Sequence, residues 1–342
     1  MSPVVISRSR TVRGFTLVEM MVAMALALLV ALAALSTLVV GNRGFEAVDA
    51  GAQLRSNAHF ATDIIERVAL QTGFLDVDFA AKATDSSSSA VPPVMGFNNA
   101  IFDTSDKTAS STTAWVNGAT GSGSDVLVLR YQPAKNDTGA THADGTVKSD
   151  GAMVDCSGST PDRASTGRDD SAISAFFVAN DAGTGEPALF CASLNDARTA
   201  FKSRQALVTG VENFQVLYGV QAKSPTPNSA FTSTNDSIPY TYLRADQMVV
   251  NGSATSAATY ANWRLVRSIR IGMVLRGAAN TQPDRSSQTF YPFGIAKSAP
   301  NGTVGSAFAS ANDPGTSFTP TPDGRFRDVL TFAIHLDNSL QQ

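Results

Sequence analysis

Residues Arg13 to Gly41 read RGFTLVEMMVAMALALLVALAALSTLVVG, and this stretch decides how the rest of the 342-residue chain is organised. The twenty-one residues from Met20 to Val40 include only two polar ones, Ser36 and Thr37. At about 1.5 Å per residue such a helix is roughly 31 Å long, the thickness of a bilayer core. One carboxylate, Glu19, stands at its mouth. An acidic side chain costs about 2.5 to 3.5 kcal/mol at the centre of a span and less near its end, so the position is tolerable, but the span gives no reason for it.

The flanks set an orientation. Arg8, Arg10 and Arg13 precede the apolar run and no acidic residue does, which predicts a cytoplasmic N-terminus and an exported remainder. Without the first fourteen residues the chain keeps 23 basic residues against 29 acidic ones, so the exported part is mildly acidic. A cleaved secretory signal would carry an apolar core of about 7 to 15 residues and a small-residue cleavage site, and this run is longer. An uncleaved membrane anchor fits length and charge equally well.

The full chain has a formal charge of −3, with 43% hydrophobic and 16% charged residues, an ordinary globular composition with a membrane segment added in front. No basic block is interleaved with aromatics, so a nucleic-acid partner is not expected. Cys156 and Cys191 both fall in the exported part. Paired in an oxidising compartment they would contribute roughly 3 to 4 kcal/mol; the alternative is two unpaired core cysteines.

Past the glycines of GNRG, Gly41 to Gly44, which weaken a helix where the chain meets the membrane surface, an apolar seam recurs at Leu54, Ala58, Ala61, Ile65 and Val68. Arg55, Asp63, Glu66 and Arg67 lie off it, and Gly73 reads as a stop. These signals predict a long helix over 15–72, interrupted at most at the glycines, its first half (20–40) in lipid and its second half packed on a head. Residues 82–123, with SSSS at 86–89, read as loop. DVLVLRY (125–131), AISAFFVA (172–179) and PALFCAS (187–193) read as strands, the last two paired.

Period-two alternation is clearest further on. Phe214, Val216, Tyr218 and Val220 share one face, as do Ile269, Ile271, Met273 and Leu275, and Leu330, Phe332, Ile334 and Leu336. Arg270 and Arg276 point the other way, as do Thr331, Ala333 and His335. Residues 222–262 are less regular, with TYLRADQMVV a short helix or a turn. One antiparallel sheet over the exported half of the helix is the economical architecture, an α+β fold with a β-rich head over 73–342.

Catalytic motifs are missing from the sequence: it has no G-x-S-x-G elbow, no Walker loop and no H-E-x-x-H. His59, His142 and His335 are scattered over a helix, a loop and a strand. Asp137, Asp144 and Asp150 punctuate the loop 136–151 without the spacing of a calcium-binding loop, and the loop reads as solvated turns. No cofactor or metal is expected.

The run GFTLVEMMVAMALALL, Gly14 to Leu29, resembles the class III signal of type IV pilins and pseudopilins. The resemblance implies that residues 1–14 are a leader removed by a prepilin peptidase between Gly14 and Phe15, that Phe15 becomes N-methylated, and that Glu19 is the family's hallmark glutamate. A carboxylate at i+4 from a new N-terminal amine can neutralise it within a chain or across to a neighbour. Further blocks, ALVTGVENFQVLYGV (206–220), YLRADQM (242–248), NWRLVRSIRIGMVLR (262–276) and RFRDVLTFAIHLDN (325–338), look like those of PilW-type minor pilins. That implies a single-pass inner-membrane prepilin that joins other minor pilins and the major pilin, primes assembly, and sits near the fibre tip with or without an adhesin. The strand 267–276 and the polar loops are candidate contact surfaces. A type II secretion pseudopilin, which pushes cargo, shares the signal; a membrane-anchored periplasmic enzyme or binding protein is the rival of another class.

Overall fold

The computed structural model describes residues 14–80, 91–102, 123–234, 238–282, 284–294 and 317–338. The three N-terminal arginines and the SSSS run lie outside the described residues. The chain divides into two units, one ending at Asp49 and one beginning at Ala50.

In the first unit the chain is helical from Leu17, the start of α1 (Leu17–Gln71). Gly41 and Gly44 do not interrupt it: every residue from Leu17 to Gln71 is helical. No described side chain between Gly14 and Asp49 is buried, and Met20, Leu28, Leu32 and Val40 are all more than half exposed. The two polar residues of the span satisfy themselves: Ser36 Oγ and Thr37 Oγ1 both donate to Ala33 O, at 2.8 and 2.9 Å. Each hydroxyl therefore finds an acceptor without leaving an apolar surrounding.

The second unit is built on the remainder of α1, and the seam forecast from its spacing is the buried one. Leu54, Ala61, Ile65 and Val68 are buried and Ala58 packs beside them. A one-turn helix α2 (Val77–Ala80) follows. The head carries two antiparallel sheets where the sequence suggested one. The first runs in order β1 (Val94–Phe97), β2 (Val126–Tyr131), β3 (Ala172–Asn180), β4 (Pro187–Ser193) and β5 (Gln205–Thr209). The second has β6 (Val211–Val220) between β7 (Thr241–Leu243) and β8 (Val266–Arg276), with β9 (Arg327–His335) at the edge beyond β8. Two short helices, α3 (Ala245–Met248) and α4 (Ala257–Trp263), lie between β7 and β8.

The extra sheet follows from burial on both faces. Along β2 to β4, Leu127, Leu129, Phe176, Leu189 and Cys191 join the core shared with α1 and the second sheet. Their neighbours Val126, Val128, Phe177 and Phe190 form a second core with Phe102 and Phe201, in which Phe102 and Phe177 stack at 4.5 Å. A strand buried on both faces reads as a continuous apolar run, so its alternation is invisible. In the second sheet the predicted faces hold: Val216 is opposite Ile271, and Ile271 is opposite Phe332.

Gly210 makes the corner between the sheets. It joins β5 to β6 at φ 85°, donates to Pro187 O and accepts from Arg276 N, both at 2.7 Å. A Cβ there would lie 2.4 Å from Arg276 O, so only glycine fits. Cys156 and Cys191 are joined by a disulfide with a Cα separation of 5.8 Å, tying the irregular loop after β2 to β4.

Candidate assembly site

Glu19 is held by its own helix end. Its Oε2 accepts from Thr16 N and Thr16 Oγ1, both at 3.0 Å, and Glu19 N donates back to Thr16 Oγ1 at 3.2 Å. With the helix beginning at Leu17, Thr16 is the N-cap and Glu19 the third helical residue, so T-L-V-E is a capping box. Two backbone N–H groups that the helix geometry would leave open are satisfied reciprocally. The sequence carried this signal in plain sight, Thr followed three residues later by Glu before an apolar run. Phe15, immediately before the cap, is 85% exposed, and nothing lies within 4 Å of where a Cβ on Gly14 would be. The peptide bond between Gly14 and Phe15 is therefore sterically open on its described side, and Glu19 is four residues from the amine that cutting it would create.

The charged chemistry of the head is gathered elsewhere, at the sheet corner. Arg276, at the end of β8, donates to Glu186 before β4 at 2.5 Å and to Glu212 on β6 at 2.8 Å. Arg327, at the start of β9, donates twice to Glu212, at 2.6 and 3.1 Å, and to Asp323 at 2.8 and 3.0 Å. Arg325 completes the ring with a 2.9 Å bond to Glu186. Three cations meet three carboxylates, and the side chains of Glu212 and Arg327 are only 9% and 6% exposed. Burial works against the charged forms of Glu186 and Asp323, but their arginine neighbours outweigh it and hold both carboxyls below their ordinary values. The arrangement joins the first sheet to the second and offers no proton donor or nucleophile in a reactive setting; it is a clamp.

The remaining sequence candidates do not converge. His59 and His335 are exposed, and His142 lies 3.6 Å from Asp162. Asp144 accepts from Thr146 and pairs with Arg163 at 2.7 Å, while Asp150 accepts from Ala152 N at 3.0 Å, as turn-making carboxylates do. Among the described residues no group of three or more His, Cys, Asp or Glu is placed to hold a metal ion. The strand 267–276 is not a contact surface: β8 is a central strand whose residues are buried except for the half-buried Arg270 and Arg276. Arg276 is spent in the clamp, and Arg270 sits 5.9 Å over the ring of Phe293.

Comparison with known families bears on both ends of the chain. The family model described as the prokaryotic N-terminal methylation motif matches residues 9–35, and that of type IV pilus-assembly protein W matches residues 175–338. The chain is a type IV pilus minor pilin. The two matches cover the capping box and membrane span at one end, and β4, β5, both short helices and the whole second sheet at the other. Among solved structures, this minor pilin is similar to a type IV-like pilin from Thermus thermophilus at 11% identity, with 84% of this chain and 97% of that one covered and a TM-score of 0.35. No curated protein matches the sequence. The signal implies that the minor pilin is processed by a peptidase and associates with other pilins, anchored in a membrane by α1 before it enters a fibre. Pilins are structural proteins, and the clamp and core described above are structural features.

Proposed function

We propose that this minor pilin is cut between Gly14 and Phe15 by a prepilin peptidase, is N-methylated on Phe15, and then joins other minor pilins in a complex that primes fibre assembly and stays at or near the tip. In this reading residues 1–14 are the leader on the cytoplasmic side, the helix to residue 72 carries the inner-membrane span, and the head beyond it faces the periplasm. The protein has no catalytic residues; its work is assembly, with the major pilin and the other minor pilins as partners, with or without a tip adhesin. The observation that carries the reading is the pairing of Thr16 with Glu19 directly behind the Gly14–Phe15 bond.

That pairing supports a handover. While the chain is in the bilayer, Thr16 supplies two donors to Glu19, so the carboxylate is not bare at the membrane margin. Once Phe15 is the N-terminus, its amine is a cation at i−4 from the same carboxylate, and in a bundle of apolar helices a paired charge is tolerated where a lone one is not. Each entering subunit then brings a glutamate to an amine, its own or a neighbour's.

The test is mass spectrometry of the N-terminal peptide from fibres sheared off the parent cells, with and without Glu19→Ala. The expected result is a peptide that begins at N-methylated Phe15, and loss of the variant from fibres while its membrane level is kept. A chain that retains its leader ahead of Gly14 would overturn the reading. A processed chain found only in the membrane, beside a secreted cargo that depends on it, would replace the pilus with a secretion pseudopilus.

A further inference from the structure

β9 ends the second sheet, pairing with β8 on one side and with no strand on the other. Gly277 N donates to Phe326 O at 2.7 Å and Leu336 N donates to Arg267 O at 2.9 Å, and these two bonds bracket an unbroken register. In such an antiparallel ladder the backbone groups of Leu330, Phe332 and Ile334 face β8, while those of Val329, Thr331, Ala333 and His335 face away from it. Of the outward groups, Val329 N is taken by Asp328 Oδ1 at 2.8 Å. The backbone N–H and C=O groups of Thr331, Ala333 and His335 meet no partner among the described residues, and all three residues are exposed.

An open edge is a template for pairing, and folded proteins blunt it by shortness, by bulges, or with Pro and Lys. The other sheet edges follow that rule: β7 has three residues, β1 has four, and β5 has five with a register shift against β4. β9 does not. It runs nine residues, about 30 Å, without a register shift, a proline or a lysine, and its two residues of fixed charge, Arg327 and Asp328, stand at its start. The apolar row beneath it is also unfinished. Val216, Ile271 and Phe332 lie across from one another on successive strands; the first two are buried, and Phe332, the last in the row, is half-buried.

We propose that this edge is a strand-addition surface, on which an extended segment of another pilin pairs with Thr331, Ala333 and His335 and lays an apolar side chain beside Phe332. The edge selects its occupant by chemistry: a line of alternating donors and acceptors is matched by a second extended backbone, and the unfinished row calls for alternate apolar residues. A second copy of this chain is the poorer occupant, because like edges paired about a two-fold axis close on themselves and do not continue into a fibre. The proposal rests on the assembly reading for the class of its partner, but not on the role of Glu19.

Two measurements test it. In the full-length protein in detergent micelles, amide hydrogen exchange is expected to be about tenfold faster or more at Thr331, Ala333 and His335 than at Leu330, Phe332 and Ile334. Equal protection of the two sets would overturn the assignment, since the edge would then be covered. In the parent cells, His335→benzoylphenylalanine is expected to photo-crosslink to a strand peptide of another chain that carries an N-terminal methylation signal. Ala333→Pro removes an outward N–H and leaves the ladder to β8 intact, so it is expected to lower the adduct about tenfold, while Ala333→Thr, which keeps the N–H, spares it. If the proline variant fails to fold, as judged by near-ultraviolet circular dichroism, Ala333→Lys takes its place. An adduct with a second copy alone, no adduct with another pilin, or a yield that neither variant lowers would each overturn the proposal. The N-terminal peptide of the same sample keeps the two readings apart: an intact leader sinks the assembly reading and this proposal with it, whereas a processed chain with any of those outcomes counts against the edge alone.

Discussion

Changing Glu212 to Gln tests whether the corner clamp holds the two sheets together. Glu212 accepts from Arg276 at 2.8 Å and from Arg327 at 2.6 and 3.1 Å, with 9% of its side chain exposed. Glutamine keeps the shape and one acceptor oxygen, but turns an amide toward two guanidinium groups. Breaking a buried ion pair by removing one partner costs about 3 to 5 kcal/mol. Arg327 keeps Asp323 at 2.8 Å and Arg276 keeps Glu186 at 2.5 Å, which places the expected loss at the lower end, about 3 kcal/mol. For a domain of this size that corresponds to a fall of roughly 6 to 12 °C in the midpoint of thermal unfolding. The assay is urea and thermal unfolding of the full chain in micelles, followed by near-ultraviolet circular dichroism to report on the head. Replacing both partners, Glu212→Leu with Arg327→Met, is expected to restore most of the loss, because an apolar pair carries no desolvation penalty. A loss below about 1 kcal/mol for Glu212→Gln would refute the reasoning, since an exposed pair is worth no more than that.

The same clamp makes the head acid-sensitive: Glu186 and Asp323 have folded-state values lowered by their arginines, so their contribution is complete above the ordinary carboxylate values of 4.5 and 3.8 and is lost as pH falls through the lowered ones, which urea midpoints measured from pH 6 down to pH 2 will show. Reducing the Cys156–Cys191 bond, or changing both residues to Ala, is expected to cost roughly 3 to 4 kcal/mol, read by the same unfolding assay. Gly210→Ala places a methyl 2.4 Å from Arg276 O at φ 85°, with an expected loss of about 2 kcal/mol or more and faster amide exchange at Arg276, whose N–H bonds to Gly210 O. Thr16→Val removes the hydroxyl that accepts from Glu19 N, so hydrogen exchange of that amide in micelles is expected to accelerate; an unchanged rate would mean the cap does not form in a membrane-like medium.

Signals confined to a few residues were legible in the sequence. The seam from Leu54 to Val68 shows as a period of 3.5, and the faces of β6, β8 and β9 show as a period of two, because each has one apolar side to declare. The first sheet was harder to see because both its faces are covered. AISAFFVA looks the same whether one sheet lies over the helix or two, and β1, four residues long, and β7, three residues long, are too short for any period to register. The clamp could not be read at all: Arg325 and Glu186 are 139 residues apart, and nothing local marks either as a partner.

Glu19 is the instructive case, because its local meaning was legible and was overshadowed by the membrane around it. The question raised by a carboxylate at the edge of a 21-residue apolar run has two answers that act at different times. The capping box needs only Thr16, Leu17, Val18 and Glu19, so it can form as soon as the helix does, before any processing. The amine of Phe15 becomes available only after cleavage. On the proposed processing, a glutamate satisfied first by Thr16 and then by the Phe15 amine, its own or a neighbour's, gives the helix a route from lipid to fibre on which this carboxylate is never without a partner. A substitution such as Glu19→Gln separates the stages, because an amide can still bond to the Thr16 cap but cannot neutralise an amine. On this argument Glu19→Gln should leave the processed helix in the membrane at normal levels and fail at the fibre, whereas Thr16→Val should disturb the helix end and spare the fibre step.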